Sequence, residues 1–313
     1  MEERVYIYNP TLEDGIRIWL HEFKKETVKA ATYDRLIISY RQFIKYSISR
    51  LNVLDVRSVD IQKYVNTLIR EGYSMSSVKK QFNLISAYMK YAYSEGYIRT
   101  PVYLSVKLPK QQKKKNTTSK IKTYSLLEQR RLLEELYTMK HKSYGVAILM
   151  LETGMRIGEV LCLTENDIDW DRRAISINKT LVKLSTQKGV SFVQNSAKSD
   201  TSNRIIPLNK TALNVLQKLC DGSRGYIFSG DDYDKPFSYE TVRYHLRAAC
   251  KNAGVEYKGN HVFRHTFATN CYRRGCDVKL LSKLLGHADV AITYNIYIHL
   301  FGDELEEMRS VLG

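Results

Sequence analysis

Apolar residues recur at helical spacing through the first hundred residues of the chain. Leu12, Ile16 and Leu20 mark a first amphipathic helix. The same spacing predicts three more helices, over 33–44, over 58–72 with Ser58 as N-cap, and over 76–96. Helices of this kind bury their apolar faces against one another, so we predict a small four-helix bundle. No cluster of titratable residues lies within the bundle, which favours a binding module.

From Tyr124 onward the pattern is mixed. Helical spacing covers 126–138, 145–161, 210–220 and 238–253, and it returns after His261. Short strand-like runs separated by polar turns are found at 174–180, 190–195 and 204–208. We therefore predict a mainly α protein with a small antiparallel β-sheet (α+β), divided into a helical domain over 1–105, a linker over 106–122 and a second domain over 123–313.

The linker carries much of the excess positive charge of the chain. The 49 Lys and Arg outnumber the 33 Asp and Glu, giving a net charge of +16, and this balance favours a polyanionic partner. Residues 106–122 hold seven lysines, and no acidic residue occurs between Glu95 and Glu128. A solvated tether of this kind is also suited to follow a DNA backbone. The lysines predicted to contact DNA are Lys107, Lys110, Lys113, Lys114 and Lys115.

Several classes of protein are excluded by what the chain lacks. The N-terminal residues have no basic stretch followed by an apolar run, so no secretory signal is readable. The longest apolar runs are far shorter than the roughly 20 residues of a membrane span. Five cysteines without CxxC spacing indicate reduced thiols. We expect a cytoplasmic protein that associates with the nucleoid when it is bound to DNA.

Two short motifs each place an arginine three residues from a second polar side chain. In the segment TGMRIGEV, Arg156 and Glu159 share a helix face, so that the carboxylate can hold the guanidinium in one pose. In HVFRHT, His261 and Arg264 share a face in the same way. Each pair alone is weak evidence, because an arginine–glutamate pair at this spacing is usually a surface ion pair and the second motif fits any helix with one polar side.

The combination of residue types is more informative than either motif. His287 lies at a helix–turn junction, ten residues before Tyr297. Two guanidinium groups can bind one phosphate, and a neutral histidine can accept a phenol proton. The sequence has no paired carboxylates suited to Mg²⁺, so side chains must neutralise the transition-state charge. The residues therefore predict phosphoryl transfer to a tyrosine without a metal or another cofactor.

The order of the motifs, TGxRxxE, then HxxRHT, then LGH followed by Tyr297-Ile298-His299, resembles that of the tyrosine recombinases, also called phage integrases. The N-terminal bundle resembles the core-binding (DNA-binding) domain of that family, and residues 123–313 resemble its catalytic domain. About ten residues precede the first helix, so we expect a Xer-like member without an arm-binding domain.

The resemblance implies a role for each residue around the scissile phosphate. Arg156 and Arg264 would bind the non-bridging oxygens, and His287 would donate a hydrogen bond to the phosphate. Glu159 matches the acidic residue that supports the first arginine in the family.

The resemblance also implies the groups that transfer protons. His261 would act as base toward Tyr297, which would attack to give a 3′-phosphotyrosine and a free 5′-hydroxyl. Tyr294, one turn earlier, is the alternative nucleophile. The family places a lysine on a hairpin as general acid for the leaving oxygen, and Lys198 is the candidate with Lys188 as the alternative.

The resemblance further implies an assembly. Recombination would pass through a Holliday junction without ATP, and a homo-tetramer would act on two DNA sites with short inverted-repeat core sequences. The segment from Asp303 to Leu312 has helical spacing and would dock on a neighbouring subunit or on its own domain.

Three other functions stay open at this point. A type IB topoisomerase would use the same tyrosine chemistry to relax a single duplex. A non-catalytic DNA-binding protein would bind DNA but form no covalent adduct, and a metal-dependent nuclease would be sensitive to EDTA.

Overall fold

Contacts within the computed structural model divide the chain into two compact units. One comprises Met1–Lys115 with Lys183–Phe192, and the other comprises Asn116–Val182 with Val193–Gly313. The structure describes residues 9–109, 122–184, 191–196, 203–220, 222 and 225–297, of which 191–196 and 295–297 are described by their backbone alone.

The N-terminal unit is helical, as the apolar spacing predicts. Its helices are α1 (Leu12–Ile18), α2 (Lys25–Thr27), α3 (Ala30–Phe43), α4 (Ser58–Arg70) and α5 (Met75–Ser94), with a π-helical stretch, Trp19–Lys24, between α1 and α2. Fully buried side chains from all four predicted helices form one core, including Leu12, Phe43, Leu68 and Ile85. Ser58 is the first residue of α4, and Arg57 occupies the N-cap position where Ser58 is predicted.

The start of the predicted linker packs against this unit. Val106 and Leu108 contact its core. Between them, the Lys107 N–H donates to Gln62 Oε1 at 2.8 Å, and the Lys107 carbonyl accepts from Gln62 Nε2 at 3.1 Å. The Lys107 side chain is exposed. Lys110 and the run from Lys113 to Lys115 lie outside the described residues.

The C-terminal unit combines helices with short strands. Its helices are α6 (Leu126–Thr138), α7 (Ser143–Thr153), α8 (Ile157–Leu161), α9 (Lys210–Leu219), α10 (Tyr239–Asn252), α11 (Asn260–Arg273), α12 (Val278–Leu285) and α13 (Val290–Tyr297). Helix α7 is apolar around most of its circumference and packs against α6, α9 and α11. It is therefore the central helix of this unit.

The strands form the small sheet that the sequence predicts. Strands β1 (Ile168–Asp169), β2 (Ala174–Ile177) and β5 (Arg204–Pro207) pair antiparallel in the order β1-β2-β5, with Ile175 opposite Ile206. Strand β3 (Lys179–Leu184) pairs with β4 (Ser191–Ser196). The prediction of a mainly α fold with a small antiparallel sheet is confirmed.

The single helix predicted over 145–161 is wrong, because the chain breaks at Gly154. This residue adopts a left-handed conformation, with φ of 66°, and ends α7. A side chain at this position would collide with the ring of Phe267. The chain resumes as α8 with Arg156 at the N-cap, so the break sets the position of the first motif arginine.

Three further predictions concern membrane spans, the cysteines and the C-terminal segment. In the part of the chain that the structure describes, no helix is both long and apolar enough to cross a membrane. All five cysteines are free thiols. The predicted C-terminal docking segment, Asp303 to Leu312, lies beyond the last described residue.

Candidate active site

Glu159 holds Arg156 at the beginning of α8. The Arg156 backbone N–H donates to Glu159 Oε2 at 2.8 Å, and Arg156 Nη1 donates to Glu159 Oε1 at 2.8 Å. The Glu159 side chain is 5% exposed, whereas that of Arg156 is 36% exposed. Among the described residues, Glu159 is the hydrogen-bond partner of the Arg156 guanidinium. The carboxylate thus anchors one edge of the guanidinium and leaves the rest facing outward.

A second arginine, which the sequence reasoning missed, occupies the other side of Glu159. Arg204 Nη1 donates to Glu159 Oε1 at 3.1 Å, and Arg204 Nη2 donates to Glu159 Oε2 at 2.8 Å. Arg204 Nε donates to the Leu284 carbonyl at 2.7 Å, and the side chain is 6% exposed. The signal available in the sequence is an arginine opening the apolar run RIIPL, because a charge within such a strand requires a buried partner.

These contacts keep Glu159 ionised. Burial alone would raise the pKa of the Glu159 carboxyl. The hydrogen bonds and positive charge of Arg204, together with Arg156, outweigh burial and lower the pKa below its ordinary value. At neutral pH the buried group is therefore an anion between two cations.

Arg264 is anchored by the ends of two helices. It is 6% exposed; its Nη1 donates to the Gly154 carbonyl at 2.9 Å, and its Nη2 donates to the Leu285 carbonyl. Gly154 follows α7 and Leu285 ends α12, so both acceptors lie at helix C-termini, where carbonyl groups are unpaired and carry partial negative charge. These two carbonyl groups stabilise the buried guanidinium.

His287 lies directly after α12 and faces the arginines. Gly286 ends this helix in a left-handed conformation, with φ of 64°, and the His287 N–H donates to the Ser282 carbonyl at 3.1 Å. Burial, followed by the charges of Arg264, Arg156 and Arg204, lowers the pKa of His287 to about 4. The imidazole is therefore neutral at physiological pH.

His261, in the first turn of α11, is exposed and lies in the field of the same two motif arginines. Partial desolvation, together with the charges of Arg264 and Arg156, lowers the pKa of His261 below its ordinary value. Because Arg156 and Arg264 act on both His261 and His287, the structure brings these four predicted side chains into one cluster. The two histidines are neutral and the two arginines are cationic, an arrangement suited to bind an anion and exchange a proton.

Both tyrosine candidates, Tyr294 and Tyr297, lie in α13. Tyr297 is the last residue of α13; its backbone is described but its side chain is not. Tyr294, one turn earlier, is 42% exposed. Lys188 and Lys198 lie outside the described residues. In sequence they flank β4, which pairs with β3 beside α8.

The packing of β3 against α8 depends on Gly158. A side-chain carbon at this position would approach both the Tyr239 hydroxyl and the Leu181 carbonyl too closely. The Tyr239 hydroxyl donates to the Leu181 carbonyl at 2.5 Å, which holds β3 against the helix that carries Glu159. The motif glycine thus lets the first strand of this hairpin approach the arginine cluster.

No group of at least three His, Cys, Asp or Glu side chains suited to hold a metal ion is present among the described residues. The charged groups assembled in this cluster are instead guanidinium donors around one buried carboxylate. Their chemistry matches a phosphate ligand better than a cation.

Comparison with known proteins identifies the family. The model of the phage integrase family matches residues 125–304, more than half of the chain. The chain belongs to the phage integrase family. The predicted class of enzyme, a tyrosine recombinase, and the predicted activity, site-specific DNA recombination, are confirmed at the level of the family.

Relatives of this integrase-family chain come from bacteria and phages. It is 29% identical to a tyrosine recombinase XerC-like protein of Caldanaerobacter subterraneus, covering 93% of this chain and 79% of that protein. It is 26% identical to the integrase of Staphylococcus phage L54a, covering 90% and 86%. Both alignments extend well beyond the matched catalytic region, so the likeness includes the N-terminal unit.

Solved structures of integrases share the fold. The Tn1549 transposon integrase bound to transposon right end DNA matches with a TM-score of 0.78 at 19% identity, covering 97% of this chain and all of that chain. A lambda integrase dimer bound to a core site matches with a TM-score of 0.68 at 18% identity, covering 93% and 78%. At these identities the likeness shows the integrase fold.

Proposed function

We propose that this integrase cuts and rejoins DNA through a covalent bond between Tyr297 and the 3′-phosphate, using the residues clustered around Glu159. The observation that carries the proposal is the convergence of Arg156, Arg264, His261 and His287, two fixed cations and two neutral imidazoles, in one site. This set of groups supports phosphoryl transfer in which side chains neutralise the charge of the transition state.

The two arginines and His287 bind the scissile phosphate in this mechanism. Arg156 and Arg264 donate to its non-bridging oxygens, where negative charge is concentrated. His287 donates through Nε2–H, which requires its Nδ1 to accept from the Thr293 hydroxyl, 2.7 Å away. A neutral His287, with its pKa lowered to about 4, supplies this hydrogen bond over the physiological range of pH.

Proton transfer at the tyrosine and at the leaving group completes the reaction. Neutral His261 accepts the phenol proton as Tyr297 oxygen forms a bond to phosphorus. The bond from phosphorus to the 5′-oxygen breaks, and Lys198 gives that oxygen a proton. In the reverse step a 5′-hydroxyl attacks the phosphotyrosine, so the strand is resealed without ATP.

The proposed reaction needs an assembly of four subunits. Exchange of both strand pairs passes through a Holliday junction and needs four active sites, supplied by a homo-tetramer on two inverted-repeat core sites. A lambda integrase tetramer bound to a Holliday junction shares the fold, with a TM-score of 0.66. The segment from Asp303 to Leu312 would link neighbouring subunits.

In this proposal one domain binds DNA and the other carries out catalysis. Residues 1–105 act as the core-binding domain, and residues 123–313 carry the chemistry. The lysines of the linker, Lys107, Lys110 and Lys113 to Lys115, neutralise DNA phosphates between the two.

The decisive experiment is covalent trapping. Nicked duplexes that tile the DNA flanking the gene of this protein are incubated with protein and EDTA, and the products are separated on a denaturing gel. Wild type, Tyr297→Phe and Tyr294→Phe are compared. An adduct that resists detergent and is lost only in Tyr297→Phe supports the assignment, and loss only in Tyr294→Phe moves the nucleophile by one turn.

Other outcomes separate the competing functions. A chain that binds DNA tightly but forms no adduct on any duplex contradicts catalysis. A wild-type protein that relaxes supercoiled DNA but joins no strands between two sites behaves as a topoisomerase. Loss of the adduct with EDTA contradicts chemistry carried by side chains alone.

A further inference from the structure

Arg204 joins three segments that the proposed mechanism uses. Its guanidinium donates to both oxygens of Glu159 in α8, at 3.1 and 2.8 Å, and its Nε donates to the Leu284 carbonyl in the last turn of α12, at 2.7 Å. A side-chain carbon added at Gly286 would lie 3.1 Å from Arg204 Cδ, so the stem of Arg204 lies against the turn that precedes His287. Contacts along the stem of the Arg204 side chain and at its guanidinium therefore fix the direction in which the guanidinium points.

The contacts of Glu159 show what Arg204 does for Arg156. Glu159 Oε1 accepts from Nη1 of Arg156 and from Nη1 of Arg204, and Oε2 accepts from the Arg156 backbone and from Nη2 of Arg204. An arginine beside a carboxylate tends to pair with both oxygens through two parallel hydrogen bonds. Arg204 holds that paired position, and Arg156 keeps a single side-chain contact.

We propose that Arg204 is a positioning residue: by taking the two-point pairing with Glu159, it prevents Arg156 from taking that pairing and keeps the remaining donors of Arg156 available to the scissile phosphate. The inference rests on the proposed function, since it assigns to Arg204 an effect on phosphate binding. Arg204 itself need not touch the DNA.

Removal of Arg204 should therefore impair cleavage more than DNA binding. In Arg204→Met, Arg156 can turn toward Glu159, and we expect the rate of adduct formation on bound DNA to fall about 100-fold, as for other displaced catalytic groups. Arg204→Lys keeps the charge but not the two-point geometry, and we expect about a 10-fold loss. The dissociation constant for DNA should stay within about twofold of wild type, since most binding energy comes from other phosphate contacts.

The matched control is Arg172→Met. Arg172 lies in the same unit and has an ion pair, but its side chain is 83% exposed and its Nε lies 3.8 Å from Asp169 Oδ2. This variant should keep the wild-type rate and affinity. A general loss caused by removal of any arginine from this unit would appear in both variants.

A modified substrate separates positioning from a purely structural role. Replacement of one non-bridging oxygen of the scissile phosphate by a methyl group removes the charge that Arg156 is proposed to bind. This modified substrate is a methylphosphonate. The ratio of the cleavage rate on the normal phosphate to that on the methylphosphonate then measures how strongly Arg156 interacts with the charge of the scissile phosphate. Arg156→Ala and Arg204→Met should lower this ratio alike, and Arg172→Met should leave it unchanged.

Each outcome decides one of the two proposals. If wild type forms no adduct, the proposed function fails and Arg204 has nothing to position. If wild type forms the adduct while Arg204→Met keeps the wild-type ratio, the inference about Arg204 is overturned and the proposed function stands. If circular dichroism shows that Arg204→Met does not fold, Arg204→Lys provides the same comparison. A wild-type ratio of phosphate to methylphosphonate cleavage in that variant overturns the inference.

Discussion

His287 Nδ1 lies 2.7 Å from the hydroxyl of Thr293, so a hydrogen bond connects the turn after α12 to the helix that ends at Tyr297. Thr293 is completely buried. The contact fixes the orientation of the His287 ring and ties it to α13. In the proposed mechanism, where Nε2–H donates to the phosphate, the Thr293 hydroxyl is the donor to Nδ1.

Thr293→Val should impair catalysis while preserving the packing of the buried side chain at position 293. Valine fills the same volume but cannot hydrogen-bond to His287 Nδ1, so the imidazole loses its orientation. We expect the rate of adduct formation to fall about 10-fold, the equivalent of about 1.4 kcal/mol for one hydrogen bond. Thr293→Ser should keep most of the activity. Thr138→Val, which removes a hydroxyl that bonds only locally at the end of α6, is the control, and equal losses in the two valine variants would argue against this role.

The histidines near the arginines make stability depend on pH. The folded protein has a pKa of about 4 for His287, below the value of about 6.5 for an unfolded chain, so the unfolded state binds more protons between these values. The stabilisation is complete above about pH 6.5 and is lost as the pH falls toward 4. Since His287 is only half-buried, we expect solvent screening to limit its share to about 1 kcal/mol.

Urea unfolding at pH 7, 6 and 5 measures this effect. His287→Asn should show a smaller decrease in unfolding free energy over that range than wild type. The same decrease in both proteins would mean that His287 keeps an ordinary pKa in the folded state.

Gly154 and Gly254 provide a matched pair of substitutions. Both have φ of 66°, so alanine meets the same backbone strain at each position. Only at Gly154 does the new side-chain carbon collide with the Phe267 ring; at Gly254 no atom lies within 4 Å. Gly154→Ala should therefore reduce the unfolding free energy by about 2 kcal/mol more than Gly254→Ala, as measured in urea. Equal reductions would indicate that Phe267 moves aside.

The proposed general acid can be tested with a substrate that does not need one. Lys198→Ala should lower cleavage of an ordinary phosphodiester about 100-fold, within the range for loss of a general acid. A substrate with sulfur in place of the 5′-bridging oxygen has a better leaving group, and with it the variant should approach the wild-type rate. Lys188→Ala is the comparison, and rescue of that variant in place of Lys198→Ala would transfer the role to Lys188.

Local patterns in the sequence were sufficient for much of the fold. The limits of α6, 126–138, agree with the apolar spacing because Ser125 and Glu128 form a capping box and the interactions that start the helix lie within four residues. Arg156 and Glu159 pair as expected for the same reason, since three residues of helix bring them together. The order of the motifs sufficed to indicate the family.

Contacts between segments that are distant in sequence could not be predicted from local patterns. Arg204 is 45 residues from Glu159, and Arg264 is 110 residues from the Gly154 carbonyl that it binds. Such contacts depend on how helices and strands pack, and no local spacing encodes that packing. The sequence alone determined which residue types are available for phosphoryl transfer and in what order. The tertiary structure decided which donor holds which acceptor, because a buried charge must find its partner wherever packing leaves one within reach.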